Sequence, residues 1–392
     1  VFNLLLSKNL FNMDLLEVTP NVYPTIDVGL VNSSRYWDKV ELCSVPALSG
    51  IKEPFCTVNK HIDSDIVKCF GTDEPEADNY ILHYSSGWNT NRNKYPLLLV
   101  HGAGLDANSY TNLYGLGFEG LQQKLVKLGY RVFAITFSHS HGNNFYQAEQ
   151  LCAAINKIKK ETKCEQVDIV AHSKGGIPVQ IYLSSLGYNS YQGDVRSYLM
   201  LGTPNYGIDY LFRNPLLNYF IYTLGANGVI VWDKIMSFAT VLDVTERSIY
   251  KEGYFPGQAQ IAYRWDETYP LDTLQQDWWT TYYGGSGLLG NSQGIDKAIR
   301  DGGFLIKRLN NKGLEPGINI ATLAGNNVFE GVAFNVSGPS DGLVFIDSAL
   351  YTDGMTKRGA KLLDKTILPL NHMELLYDNR VARWIDMQLS NK

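Results

Sequence analysis

Val170-Ala171-His172-Ser173-Lys174-Gly175-Gly176 is the stretch on which the reading of this chain turns. Just before it, Gln166-Val167-Asp168-Ile169-Val170-Ala171 is an apolar run of strand length, and just after it residues 177–186 have helical spacing. A serine between a strand and a helix, with Ala171 two places before it and Gly175 two places after, fits a nucleophile elbow. The turn is so tight that bulky residues at those two places would block it. The pattern is A-x-S-x-G, and alanine is the smallest departure from the G-x-S-x-G form. The helix start would aim backbone N–H groups at developing negative charge. The competing reading is a serine that merely caps a helix; the strand before it and the pattern around it favour the nucleophile.

Working outward, Pro96–Val100, Arg131–Phe137 and Ser197–Leu201 read as further strands, and residues 121–128 and 147–160 as helices between them. Strands alternating with helices imply βαβ units and a mostly parallel central sheet with helices on both faces, an α/β class. The alternation stops near Asn205 and resumes with Ile318–Ala324 and Thr366–Leu370, followed by an amphipathic helix over residues 373–389. The expected organisation is a catalytic core over 93–205 and 317–392, a large inserted lid or cap over 206–316, and an irregular N-terminal extension over 1–92. The insertion is rich in aromatics, among them Tyr210, Phe212, Tyr219, Phe220, Tyr222, Trp232, Trp278, Trp279, Tyr282 and Tyr283. They suit either an apolar cap over the serine or the core of an ordinary packed subdomain. Gly284-Gly285-Ser286-Gly287 reads as a hinge or a loop.

In 392 residues, 45% hydrophobic and 19% charged, there is ample material for a buried core. A net charge of −5 without a long Lys/Arg run speaks against a nucleic-acid partner. No stretch approaches the roughly 18 apolar residues of a membrane span. Residues 1–16 lack the basic start and small-residue cleavage site of a signal peptide, so they read as part of a mature chain. The five cysteines are Cys43, Cys56, Cys69, Cys152 and Cys164. A helix between Cys152 and Cys164 would hold them on the order of 15 Å apart, too far to bridge. The three N-terminal cysteines are the better candidates for one disulfide. Asn32-Ser33-Ser34 and Asn335-Val336-Ser337 are glycosylation sequons.

A serine needs a base to take its proton and an acid to orient that base, in the chain order serine, acid, histidine. After Ser173 the chain has a single histidine, His372, directly behind the last strand. Asp341, in Ser340-Asp341-Gly342-Leu343-Val344, is the leading acid, with Asp347 and Asp353 as alternatives. His101-Gly102-Ala103-Gly104 follows the first strong strand, where this fold places one oxyanion donor. The backbone amides of Ala103 and Lys174 are assigned to that hole, and the Lys174 side chain to no role in the chemistry. His139-Ser140-His141 could bind a metal, but no further ligands stand at convincing spacing, so the pair reads as active-site rim or exposed loop and no metal or other cofactor is expected.

These segments resemble the secreted bacterial lipase branch of the α/β-hydrolases. Ala171-His172-Ser173-Lys174-Gly175-Gly176 is similar to the elbow of several such lipases, His101–Gly104 to their oxyanion loop, and Gly202-Thr203-Pro204 with Gly207 to a segment after their sixth strand. Ser340–Val344 and Asn371-His372-Met373 resemble their acid and histidine loops. The resemblance covers residues 95–205 and 318–390 and implies an α/β-hydrolase fold. It further implies a secreted ester hydrolase that works through an acyl-enzyme on a lipid or polyester surface. A polyester depolymerase is the rival within enzymes, and an acyl transferase would use the same intermediate. A binding or adhesion module on a hydrolase scaffold is the rival from another class.

Overall fold

The computed structural model describes residues 26–32, 34–113, 117–237, 240–327 and 338–390. Both sequons include residues outside that set, as does the whole of the 1–16 segment. A nine-stranded sheet runs in the order β1 (Ile26–Asn32), β2 (Lys39–Ser44), β3 (Asn79–Tyr84), β5 (Arg131–Phe137), β4 (Pro96–Val100), β6 (Val167–His172), β7 (Val195–Leu201), β12 (Asn319–Gly325), β13 (Lys361–Leu368). From β5 to β13 every neighbouring pair is parallel, whereas β1, β2 and β3 pair antiparallel. The stretch read as irregular therefore supplies a third of the sheet. What hid β2 is a buried carboxylate: Glu41 interrupts the apolar run and is met by Lys39 at 2.9 Å, Lys157 at 2.9 Å and the Tyr84 hydroxyl at 2.8 Å.

Period-two alternation sends successive strand side chains to opposite faces. Leu97 and Leu99 of β4 pack on one side with helices α1 (Ser64–Phe70), α2 (Leu121–Lys127) and the C-terminal helix Asn379–Ser390. Leu98 and Val100 pack on the other, against α3 (Asn144–Thr162) and α4 (Gly176–Leu183). All four leucine and valine side chains are fully buried. At roughly 1.5–3 kcal/mol for each such side chain removed from water, strands of this kind dominate the stability of the core.

The insertion builds its own small sheet from β8 (Lys234–Ser237), β9 (Thr240–Asp243), β10 (Gly285–Ser286) and β11 (Gly290–Ser292), so Gly285 lies in a strand. Its core holds Phe212, Trp232, Tyr250, Phe255 and Tyr282. Of the aromatics picked from the sequence, Phe212, Trp232 and Tyr282 are thus packing residues, whereas Tyr219, Phe220, Trp279 and Tyr283 are exposed. Ahead of β8 lies α5 (Pro215–Thr223), and behind the small sheet α6 (Leu305–Lys312) packs on α3 and α4.

The expected N-terminal disulfide is not formed: no disulfide joins any of the five cysteines. Cys69 faces one side of the sheet, Cys43 the other, and Cys56 packs into the core of the insertion, so three separate clusters keep the thiols apart. No helix among the described residues is long and apolar enough to cross a membrane.

Candidate active site

Register brings the loops together. Val100 pairs with Ala171, and His172 with Leu201, so the chain leaves β4, β6 and β7 at one level. The loops that follow carry residues 101–104, Ser173 and Gly202 side by side, at the carboxyl ends of parallel strands where such folds bind ligands.

Ser173 has φ +55°, the left-handed backbone that L-residues adopt at a cost. It opens a short turn, Ser173–Gly175, that runs directly into α4. The turn is possible because neighbours lack side chains. A Cβ on Gly175 would lie 2.1 Å from the His101 carbonyl oxygen, and one on Gly102 would lie 2.8 Å from Cβ of Ser173.

His372 and Asp341, far apart in sequence, meet: Nδ1 of His372 lies 2.7 Å from Oδ2 of Asp341, both side chains being buried. The other carboxylate oxygen, Oδ1, accepts the amides of Leu343 (3.0 Å) and Val344 (2.8 Å), and the His372 amide donates to the Asp341 carbonyl at 2.9 Å. The histidine turn is held by Asn371, whose Oδ1 accepts the amides of Met373 and Glu374 at 3.0 Å each. Gly202, at φ +56°, sits beneath the pair; a Cβ there would come within 2.9 Å of Oδ2 of Asp341. The alternative acids lie elsewhere: Asp347 accepts the Tyr269 hydroxyl at 2.6 Å, and Asp353 starts a one-turn helix.

The loop after β4 shows how Ala103 is aimed. Nε2 of His101 accepts the Phe137 amide at 3.2 Å, which leaves the proton on Nδ1 to be donated to the Gly102 carbonyl at 2.8 Å. In a trans peptide C=O and N–H point opposite ways, so holding the Gly102 carbonyl on the His101 side turns the Ala103 N–H to the other side. Burial pulls His101 down to about 3, so the ring is neutral and keeps this tautomer. Sequence reading passed over His101 and Gly202 as supports; both lay inside quoted motifs, but their roles depend on neighbours from other strands.

Ala103, Ser173, Lys174 and His372 line one cavity of ≈ 220 Å³. Most of its wall is apolar, with Leu105, Ile208, Leu211, Ile221, Val229 and Ile261 among the lining residues. His141 belongs to this wall as well, whereas His139 stacks on Phe55 at 4.2 Å between ring centres. Both are buried, so the loop reading of this pair gives way to a packed one. Among the described residues no group of three or more His, Cys, Asp or Glu is arranged to hold a metal ion.

Residues 94–182 match the family model described as Lipase (class 2). Among solved structures, the chain is similar to a mature lipase, BlEst2, of Bacillus licheniformis, at 17% identity and TM-score 0.42, covering 76% of this chain and 91% of that one. EstA of Clostridium botulinum is matched at 14% identity and TM-score 0.42, covering 77% and 88%. A Listeria innocua protein is matched at 15% identity and TM-score 0.41, covering 76% and 95%. The strand order is that of an α/β-hydrolase fold, and the segment that carries the elbow, residues 94–182, is similar to the class 2 lipases.

Proposed function

We propose that the chain is a secreted serine lipase or esterase that hydrolyses apolar carboxylic esters through Ser173, His372 and Asp341. The observation that carries the reading is the buried 2.7 Å His372–Asp341 bond opening onto the same apolar cavity as the left-handed Ser173. In the first half-reaction Oγ of Ser173 attacks the ester carbonyl while Nε2 of His372 takes its proton. The amides of Ala103 and Lys174 receive the oxyanion, and the imidazolium, stabilised by Asp341, protonates the departing alcohol. Water then attacks the acyl-enzyme by the same proton path, releasing the acid and restoring Ser173.

The substrate reading rests on the insertion. Between Asn214 and Trp232 there is no charged residue. In this stretch α5 turns Ile221 into the cavity while Leu216, Tyr219, Phe220 and Leu224 are exposed. A charge-free, apolar rim on an apolar cavity suits an ester presented by a lipid aggregate. The exposed Tyr219 and Phe220 equally suit a polyester solid, the second reading. Secretion belongs to this proposal and is supported by the resemblance of the motifs to secreted lipases.

The test is hydrolysis of p-nitrophenyl butyrate, p-nitrophenyl palmitate and a polyester film by wild type and Ser173→Ala. Activity in wild type and at least a ~10³-fold loss in the variant is expected. An inert wild type, or a variant that keeps its activity, overturns the reading, and the ratio among substrates separates esterase, lipase and depolymerase.

A further inference from the structure

Lys174 contributes its amide to the oxyanion hole, but its side chain is also unusual: it is 1% exposed, although lysine is among the residues least often buried. Burying an ammonium is costly unless it is hydrogen-bonded, so the room made for it calls for a reason. That room is built by several segments. Nζ of Lys174 donates to Oε1 of Gln147, in the first turn of α3, at 2.6 Å. Gln147 cannot turn away, because its Nε2 donates to the His139 carbonyl at 2.7 Å. From the insertion, Gly257 leaves space for the stem: a Cβ there would lie 2.4 Å from Cε and 2.8 Å from Nζ of Lys174. From the N-terminal segment comes the buried Glu53, whose Oε1 accepts the Asn143 amide at 2.6 Å and whose charge acts on Lys174. Burial draws the lysine down to about 7 and pushes Glu53 up to about 7.

We propose that the Lys174 side chain is a positioning residue for the oxyanion hole: anchored on Gln147, it holds the Lys174 amide and the left-handed Ser173 before it in reacting geometry. The argument is mechanical. Ser173 pays backbone strain at φ +55°, and a strained turn persists only where its surroundings over-determine it. The glycines around the elbow allow the turn but do not hold it. The lysine stem runs from the residue carrying the donor amide into a fixed acceptor on another helix, which is the restraint the turn needs. A preorganised donor is worth its full effect only when its position does not have to be found anew in each transition state.

The inference rests on Ser173 being the nucleophile, so the experiment separates the two. Wild type, Lys174→Met, Gln147→Leu and the double variant are titrated with an alkyl fluorophosphonate, and kcat and KM for p-nitrophenyl butyrate are expressed per titrated site. If wild type takes no label at Ser173, the nucleophile reading fails and this one falls with it. With labelling intact, Lys174→Met is expected to lose about 10–100-fold in kcat, short of the ~10²–10³ for removing a donor outright, with KM within about twofold. The double variant Lys174→Met/Gln147→Leu should be no worse than Lys174→Met, since both cut one link. A kcat within twofold of wild type, or a loss that appears only in KM, overturns the proposal. If Lys174→Met does not fold, Gln147→Leu decides: a kcat loss of about 10-fold or more per titrated site at unchanged KM supports the proposal, and a kcat within twofold of wild type, or a loss that appears only in KM, overturns it.

Discussion

Asp341→Asn is the perturbation whose outcome the geometry constrains most tightly. Oδ1 of Asp341 accepts two backbone amides, from Leu343 and Val344, and only an oxygen can do so. An asparagine must therefore keep its carbonyl oxygen there and turn its NH2 toward Nδ1 of His372. A donor facing Nδ1 forces that nitrogen to accept, which moves the imidazole proton to Nε2, the atom that takes the proton of Ser173 in the proposed mechanism. Two magnitudes compete. Weakening one charge-assisted hydrogen bond is worth roughly 1.5–3 kcal/mol, or about 10–150-fold in rate. Locking the wrong tautomer costs about 10⁴-fold in kcat, roughly 5.5 kcal/mol. The expected outcome is the larger loss, with KM for p-nitrophenyl butyrate changed no more than a few-fold and an unchanged circular-dichroism spectrum. Asp347→Asn, whose native carboxylate accepts the Tyr269 hydroxyl rather than facing His372, should stay near wild type. The reasoning is refuted if Asp341→Asn keeps more than a tenth of wild-type kcat, or if Asp347→Asn loses as much.

Gly175→Ala puts a methyl 2.1 Å from the His101 carbonyl oxygen and 2.8 Å from that of Val100, both backbone atoms that cannot move cheaply. A destabilisation of at least about 1–3 kcal/mol is expected, read as a lower urea midpoint, and an unchanged midpoint would contradict the packing described. Acid stability is the third expectation. Burial holds His83, His101 and His141 at about 3, and His139 and His172 well below the ordinary histidine value, so the folded chain carries them neutral. The unfolded chain protonates them below about 6.5, so it binds more protons between about 3 and 6.5, and stability falls as pH drops through that window. Glu53 and Asp106, raised by burial to about 7, act in the opposite direction between about 4 and 7. A single variant isolates one histidine: His83→Gln, which can still meet the Thr136 hydroxyl, should gain about 2 kcal/mol relative to wild type between pH 7 and pH 5. Parallel stability-versus-pH curves for the two proteins would show that His83 is protonated in the fold.

The parts of this molecule legible in its sequence are those whose signal is local. The strands β4 to β7 and β12 are almost wholly buried, and apolar runs announce them. The elbow reads clearly because strand, serine, glycine and helix are consecutive. The edge strand β13 reads poorly: Lys361, Asp364 and Lys365 break its run, so only its apolar end from Thr366 was legible. β2 and β3 were hidden by the buried polar groups Glu41 and His83, which are satisfied by partners from other elements. The same limit applies at the site. Ser173 and His372 stand out by motif and by scarcity, but the anchoring of Lys174 on Gln147 and the tilt that His101 imposes on a peptide plane are contacts between distant segments, and no spacing rule encodes them.

The insertion between β7 and β12 bears on how such a chain can change over time. Leu201 and Leu323 are paired neighbours in the sheet although well over a hundred residues separate the two strands. Polymer statistics make that detour inexpensive, since doubling the length of a closed loop adds only about 0.6 kcal/mol of entropy. Constraints on the detour lie instead in its seams with the core, among them the one where Ile261, Leu305, Ile306 and Leu309 press on Phe145, Ala148, Ile177 and Ile181. A lineage that preserves such seams can vary the exposed side chains between Asn214 and Trp232 without disturbing the pairing of the sheet. Selection can thereby rewrite which molecules reach the serine while the machinery beneath it is inherited unchanged.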